Sequence, residues 1–504
     1  MKLGFSTGIL CLAATTALAA PENLPEPATA EMFPKIDIQQ AMLGRSLFFD
    51  PILAGNENIA CSTCHHPSLG TSDGMSLSIG EGGVGLGPDR RLGAGEHVYA
   101  RIPRNAPALW NRGSTDFRTM FHDGRLQIDA TRPEGILMPA ARDLERPVMS
   151  PLAAQALLPI TSPDEMAGQH EENPTAALVE KMRFMGDDGA WSAIAAKVET
   201  VPEYRAAFDW IIGPDEPLHI TDIANALAAF MTFEFRSTDA PFDRYLRGDE
   251  TAITGLAAEG MELFYGDAGC SGCHAGTFQS DHQFHAIGMP QLGPGKAQVA
   301  DRAYADIGRM AVTGDPADAY KFRTPSLRNV TRTAPYGHAG AYATLEATIR
   351  HHMNPKDSLA AYRIDQALLH AVTTDHPDTE AMDDPEEMAR IAAAIEFEGV
   401  NITEDQIPAL IAFLGTLEDP VALAGRLGVP DRVPSGLKMD EVRPPALATA
   451  PTPPRATPSP ARVFRAFAQS GEVPIPDRGP VRPADISRTE LVRVDREITA
   501  LLSR

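Results

Sequence analysis

Hydrophobic residues recur along this chain mostly at helical spacing. In HITDIANALAAFMTFEF, His219 to Phe235, the side chains of Ile223, Leu227, Phe230 and Phe233 fall three or four positions apart. Thr221 is placed to cap that helix. NITEDQIPALIAFLGTLED, Asn401 to Asp419, predicts a second amphipathic helix. Acidic residues follow Thr403 in its first turn, and Ile407, Leu410, Ile411 and Leu414 share a face. Alternating, strand-type patterns are sparse, and the loops are long and glycine-rich, as in GEGGVGLGP at Gly80 to Pro88. The pattern predicts an all-α fold. After about residue 425 the composition changes. RPPALATAPTPPRATPSPAR, Arg443 to Arg462, reads as an extended linker. Beyond it SRTE, Ser487 to Glu490, is a capping-box pattern, and Leu491, Val494, Ile498 and Leu502 form one apolar face. Such a terminal helix docks on its own protein or anchors a partner.

The opening residues stand apart. Lys2, the apolar run Leu3 to Leu18, and Ala19-Ala20 before Pro21 make a secretory signal peptide over residues 1–20. Leu10 ahead of Cys11 argues against a lipoprotein site. No later run reaches the ~18 apolar residues of a membrane span. The expected location is therefore the periplasm, an oxidising compartment. The 504 residues, 43% hydrophobic and 22% charged, suit a soluble chain of two or three domains. The formal net charge is −23, and the signal peptide carries only a lysine, so the mature chain is more acidic still. That balance argues against nucleic acid or an anionic membrane as partner, and suits a basic protein.

Cysteine usage changes the picture most. Cys11 leaves with the signal peptide. The other four form two pairs, CSTCH (Cys61, Cys64, His65) and CSGCH (Cys270, Cys273, His274). In an exported protein four cysteines also suit two disulfides. A zinc site would bring its pairs within about 15–20 residues, whereas these lie about 200 apart. A redox Cys-x-x-Cys needs no histidine. The same gap, followed twice by histidine, is the c-type haem attachment motif. Two thiols add to the haem vinyl groups, and the adjacent imidazole reaches the iron.

Each motif sits in a diverged repeat. GRSLFFD, Gly44 to Asp50, precedes the first, and GMELFYGD, Gly260 to Asp267, precedes the second. Ser72-Asp73 and Ser280-Asp281 follow them. The expectation is two tandem cytochrome c-like haem domains, 21–240 and 241–425, with a Pro-rich linker and terminal helix over 426–504. Within the second, RHHMNP places His351, His352 and Met353 side by side, all three of types that bind iron. Adjacent helical residues point about 100° apart, so at most one faces a given metal.

From about residue 40 to 420 the chain resembles the bacterial di-haem cytochrome c peroxidase family, which includes MauG-type protein-oxidising enzymes. The likeness rests on LGRSLFFDPIL, CSTCHHP, RNAPALWN, FHDGR, PITSPDEM, APFDRYLRGD, LFYGDAGCSGCH, FRTPSLRNVTRTAPYGHAG and ATLEATIRHH, in that order. The resemblance implies that hydrogen peroxide reacts at the N-terminal haem and that the C-terminal haem relays electrons. It makes His65 and His274 the proximal ligands and Trp110 the inter-haem tryptophan. Backbone carbonyls of Thr333 and Pro335 would hold a Ca2+ ion at the domain interface, as suits a hard cation. The sixth ligand of the second haem lies nineteen residues beyond Thr333, at His352, with Met353 one step away. Departures accompany the likeness. The family glutamate is Ala153 in LAAQA, Leu152 to Ala156, and the family glutamine is Met120. Peroxide chemistry needs a group that moves a proton between the two oxygens. Gln127, Asp129, Glu134 and Glu145 in the extra stretch Leu126 to Pro151, or His122, are the candidate substitutes. His97 and His66 are the histidines nearest the distal position of the first haem, and neither aligns with the family's. The implied activity is peroxide reduction with electrons from a small redox protein, a cytochrome c or cupredoxin. Alternatives are oxidation of residues of a partner protein and electron carriage without catalysis. Whether two copies form a homodimer stays open.

Overall fold

The computed structural model describes residues 23–138, 144, 146–169, 172–296 and 302–441. The signal-peptide stretch, Glu145, and the Pro-rich segment with its terminal helix lie outside the described residues. The rest is mostly helical. Its strands are two or three residues long and form small antiparallel ladders.

The frame is one helix pair used twice. Ile38–Phe49 packs against Ile220–Glu234, and Leu256–Tyr265 packs against Ile407–Gly415. The same device closes both crossings. A Cβ on Gly44 would overlap the carbonyl oxygen of Ala226 and press on Phe230; a Cβ on Gly260 would overlap that of Ala409 and press on Phe413. Glycine is required at both because backbone meets backbone. Phe48 packs on Phe230 at 5.1 Å between ring centroids, and Phe264 on Phe413 at 5.1 Å. These rings centre two separate apolar clusters. The turns after the two cysteine motifs are also alike. Ser72 Oγ donates to Ala106 O at 2.8 Å, and Ser280 Oγ to Thr324 O at 2.7 Å. Asp73 and Asp281 each accept a backbone N–H two residues on.

Two details differ from the sequence reading. His219, not Thr221, is the first helix's N-cap; its N–H is held by the Asp222 carboxylate at 3.0 Å, and Thr221 is buried inside the helix. Glu234 is buried there, whereas Phe233 is only partly covered, because the Glu234 carboxylate accepts three backbone N–H groups, from Arg426, Leu427 and Gly428. The other helix runs Ile407–Gly415, entered by a single turn at Glu404–Gln406 that Thr403 caps. Phe413 rather than Ile411 completes its buried face, since Phe413 lies on the side that meets Gly260.

The chain ends cross between units. Leu24 packs in the cluster of the second unit, while Leu427, Val433, Leu437 and Met439 pack in that of the first. Asp440 accepts from Thr63, between the first two cysteines, at 2.5 Å.

Candidate functional site

The first cysteine motif opens on a cavity. Cys61–Cys64 is one helical turn, and His65 follows it with its ring held by Nδ1 against Thr71 O at 3.0 Å. That bond leaves Nε2 to face whatever the site holds, as second-shell partners of metal-bound imidazoles do. Cys61, Cys64 and His65 line a space of ≈ 1140 Å³, open mouth included. Phe48, Ile59, Leu109, Leu152, Leu227 and Met231 make its walls largely apolar.

The cysteines are free thiols, not disulfides. Burial pushes both Cys61 and Cys64 up to about 12. Reactive or metal-binding cysteines need the opposite shift. The thiol pair and the adjacent imidazole beside an apolar cavity fit covalent attachment of a haem. Two buried arginines point the same way. Arg112 and Arg323 make hydrogen bonds to main-chain carbonyls, without a carboxylate ion pair among the described residues. Burial lowers both, Arg323 to about 10, and for Arg112 the neighbouring Arg323 adds to the effect. Such cations suit the acid groups of a haem.

The second motif repeats the design. His274 Nδ1 lies 3.1 Å from Gln279 O. Burial pushes His274 down to about 4, and His352 is the next largest influence on it, so the two rings are electrostatic neighbours. The three adjacent candidates on Leu345–Met353 separate cleanly. His351 is fully buried with both nitrogens engaged, Nδ1 by Tyr342 Oη at 3.0 Å and Nε2 by Ile287 O at 2.8 Å. His352 has Nδ1 on Thr348 O at 2.8 Å, the same arrangement as His65 and His274. Met353 is partly covered at the helix end.

Trp110 is buried, edge-on to Phe235 at 5.7 Å, with its indole N–H unpaired. It adjoins Leu109 of the cavity wall. Phe117 and Phe278, at 5.5 Å, join the first unit to the turn after His274. Thr333 and Pro335 flank a cis Ala334–Pro335 peptide. Among the described residues the one His, Cys, Asp or Glu set converging as if on an ion is Cys273, Asp281 and His285, which includes neither.

The residues expected to replace the lost acid are spread apart. His122 lines the cavity. Burial first, then Arg104, His338 and Arg323, push it down to about 3. Met120 and Ala153 are fully buried and absent from the lining. Gln127 accepts from Arg309 at 3.1 Å, and Asp129 binds Thr131 and Arg132. Glu134 is likewise outside the lining, and so are His66 and His97. His97 is exposed, paired with Asp375 at 3.1 Å. The sequence reading missed Glu165, the one carboxylate in the lining. Its one signal in the sequence is the acidic residue before Met166 in PITSPDEM, which pattern alone does not place on a cavity wall.

A thiol pair with an adjacent buried imidazole on each of two equivalent frames marks a c-type haem oxidoreductase. A family model described as di-haem cytochrome c peroxidase matches residues 38–251. The chain is 32% identical over 336 residues to the methylamine utilization protein MauG of Methylorubrum extorquens, covering 66% of this chain and 72% of that protein. It is 31% identical over 342 residues to the cytochrome c551 peroxidase of Nitrosomonas europaea, covering 67% and 81%. Among solved structures, a MauG-like protein associated with microbial copper homeostasis aligns with a TM-score of 0.50 at 25% identity, over 80% of this chain and 95% of that one. The diheme peroxidase BthA from Burkholderia thailandensis aligns with a TM-score of 0.50 at 18% identity, a likeness of fold. The chain belongs to the di-haem cytochrome c peroxidase family and is a peroxidase-type oxidoreductase. Membership implies two c-type haems. No described helix is long and apolar enough to cross a membrane.

Proposed function

We propose that the protein is a periplasmic di-haem peroxidase that reduces hydrogen peroxide with electrons from a small redox protein. The observation that carries this reading is the apolar cavity bounded by Cys61, Cys64 and His65, with His65 Nε2 left free by the Nδ1 bond to Thr71 O. A haem bound there supplies the iron at which peroxide is reduced. The chain's own contribution is positional. Cys61 and Cys64 tether the group, and Thr71 O fixes the His65 tautomer and ring plane. Arg112 and Arg323 would neutralise the acid groups of a bound haem. His274 and His352 would be the residues that hold the second haem, in preference to Met353 and His351. Trp110 would carry electrons between the units, and backbone carbonyls of Thr333 and Pro335 would hold Ca2+.

A second reading rests on one observation. Met120 and Ala153 are buried apolar residues outside the cavity lining, at the positions where the resemblance implies an amide and an acid. Without those groups an oxidised state would live longer, which serves oxidation of a protein partner, the reading that likeness to MauG also supports.

The test is peroxide added to the fully oxidised di-haem protein, followed by reduced cytochrome c. Fast oxidation of the cytochrome supports the first reading. A persistent spectral change that ignores the cytochrome supports the second. A spectrum unmoved by peroxide overturns both.

A further inference from the structure

We propose that Glu165 is the proton carrier of the peroxide site, in place of the acid this chain lacks. The inference rests on the peroxidase reading above. Four observations converge on it. Glu165 is the one acidic side chain in the lining of the cavity. The other candidate side chains that the structure describes in the stretch after FHDGR, Gln127, Asp129 and Glu134, lie outside the lining, and so does Ala153, where the resemblance implies an acid. Glu165 is also fixed from behind. It sits in a single π turn, Pro163–Ala167, a conformation frequent at functional sites. That turn is pinned to the glycine-rich loop, since Glu81 N–H donates to Asp164 O at 3.0 Å and Gly80 lies so close that a Cβ there would overlap the same oxygen. Finally, the other ionisable groups of that wall are cations. Lys296 and Arg125 line the cavity with it and act on its charge. Burial outweighs them and raises Glu165 above its ordinary value, the direction a group that takes and returns a proton needs.

His122 is the competing group on the same cavity. Its Nε2 lies 3.3 Å from Asn105 O, and Arg104, Arg323 and His338 all disfavour a positive charge on it. It is poorly placed to hold a proton.

The step balances as follows. Peroxide enters neutral. The Glu165 carboxylate takes the proton of one peroxide oxygen and returns it to the other as the O–O bond breaks. The bonding pair leaves with that second oxygen, which departs as water. The oxygen left behind takes two electrons, replaced in turn by the donor protein, and two protons from solvent, and leaves as the second water.

The test compares Glu165→Gln and Glu165→Asp with the wild-type holoprotein, using hydrogen peroxide and, separately, hydrogen cyanide as probes. Cyanide also arrives protonated and gives up its proton on binding, but needs no donor or turnover. Haem content and far-UV circular dichroism establish that each variant is folded and loaded. The expected result for Glu165→Gln is a loss of about 10²–10⁴-fold in the rate of the peroxide reaction, with slower cyanide association and a changed pH dependence of that association. Glu165→Asp recovers part of both. Wild-type rates for Glu165→Gln with both probes overturn the proposal, as does a loss confined to His122→Gln. If wild-type protein ignores peroxide, the peroxidase reading fails; the cyanide arm still decides whether Glu165 carries the proton.

Discussion

Replacing Gly260 by alanine tests the idea that each unit is closed by one backbone-on-backbone crossing. The new Cβ would overlap the Ala409 carbonyl and stand 2.9 Å from Phe413 Cβ. The obstacle is main chain in a second helix, which no rotamer change relieves. Overpacking of this kind costs about 1–3 kcal/mol, and a rigid partner puts it near the top of that range. Alanine in a helix interior returns about 1 kcal/mol of propensity. The net loss is then about 2 kcal/mol. For a unit of this size each kcal/mol moves the melting temperature by about 2–4 °C, so the second unit melts roughly 4–8 °C lower. Differential scanning calorimetry of the holoprotein reads it. Gly415→Ala is the internal control, at the end of the partner helix with nothing near its Cβ; it leaves stability unchanged or slightly raised. If Gly260→Ala melts at or above wild type, the crossing is not sterically closed and the argument from glycine fails.

Three further outcomes follow from buried charge and ring geometry. Burial alone would raise Asp306, but the Arg104 guanidinium, in contact at 2.7 and 2.8 Å, holds it well below the usual carboxylate range. Its folded pKa is depressed, so its stabilisation is complete above about pH 4 and is lost as pH falls below that value. Asp306→Asn therefore costs about 3 kcal/mol at pH 7, the low end for a broken buried pair because Asp123 still meets Arg104 at 2.7 Å, and flattens the acid limb of urea-melt stability against pH. Glu234→Gln weakens the three N–H bonds at Arg426, Leu427 and Gly428 and costs about 1.5–3 kcal/mol by the same melts. His352→Ala abolishes the low-spin signature of the second haem in electron paramagnetic resonance, while His351→Gln, which loses bonds to Tyr342 and Ile287, lowers stability and keeps that signature; a near-infrared Fe–S(Met) band in the wild type would show Met353 bound instead.

The repeat was legible in the sequence because its requirements are local. A glycine at a helix crossing, two thiols beside an imidazole, and a serine and an aspartate that tie down the next turn all leave fixed spacings. Gly44 with Gly260, Cys61 with Cys270 and Ser72 with Ser280 could therefore be paired by eye. The long helices were legible for the same reason, though not their caps. His219 caps through the Asp222 carboxylate reaching back to its N–H, which no propensity at position 219 signals. Glu165 was illegible for a different reason. A proton carrier is defined by which wall of a cavity it lines, and that wall is assembled from residues as distant as Arg125, Gln155 and Lys296. The same holds for the acid that the resemblance implies at position 153, whose absence could be read while a substitute could not.

The two attachment turns, alike in sequence, end in opposite surroundings, and this bears on how electrons enter. Ser62 and Thr63 are buried, with Asp440 on Thr63 and the segment through Leu437 and Met439 packed on the first unit. Gly272 is exposed and Ser271 partly so, with nothing within 4 Å of a Cβ at Gly272. Among the described residues the second unit's turn is the more open of the two, so on the proposed function it is where a redox protein would find the shorter path. The chain's own C-terminal segment thus insulates the first unit's turn, and the burial of Glu234 by Arg426, Leu427 and Gly428 anchors that cover where it begins. On the proposed function, electrons would then enter at the second unit and cross the protein interior, and the pairing of His274 with His352 would set the potential that a donor has to match.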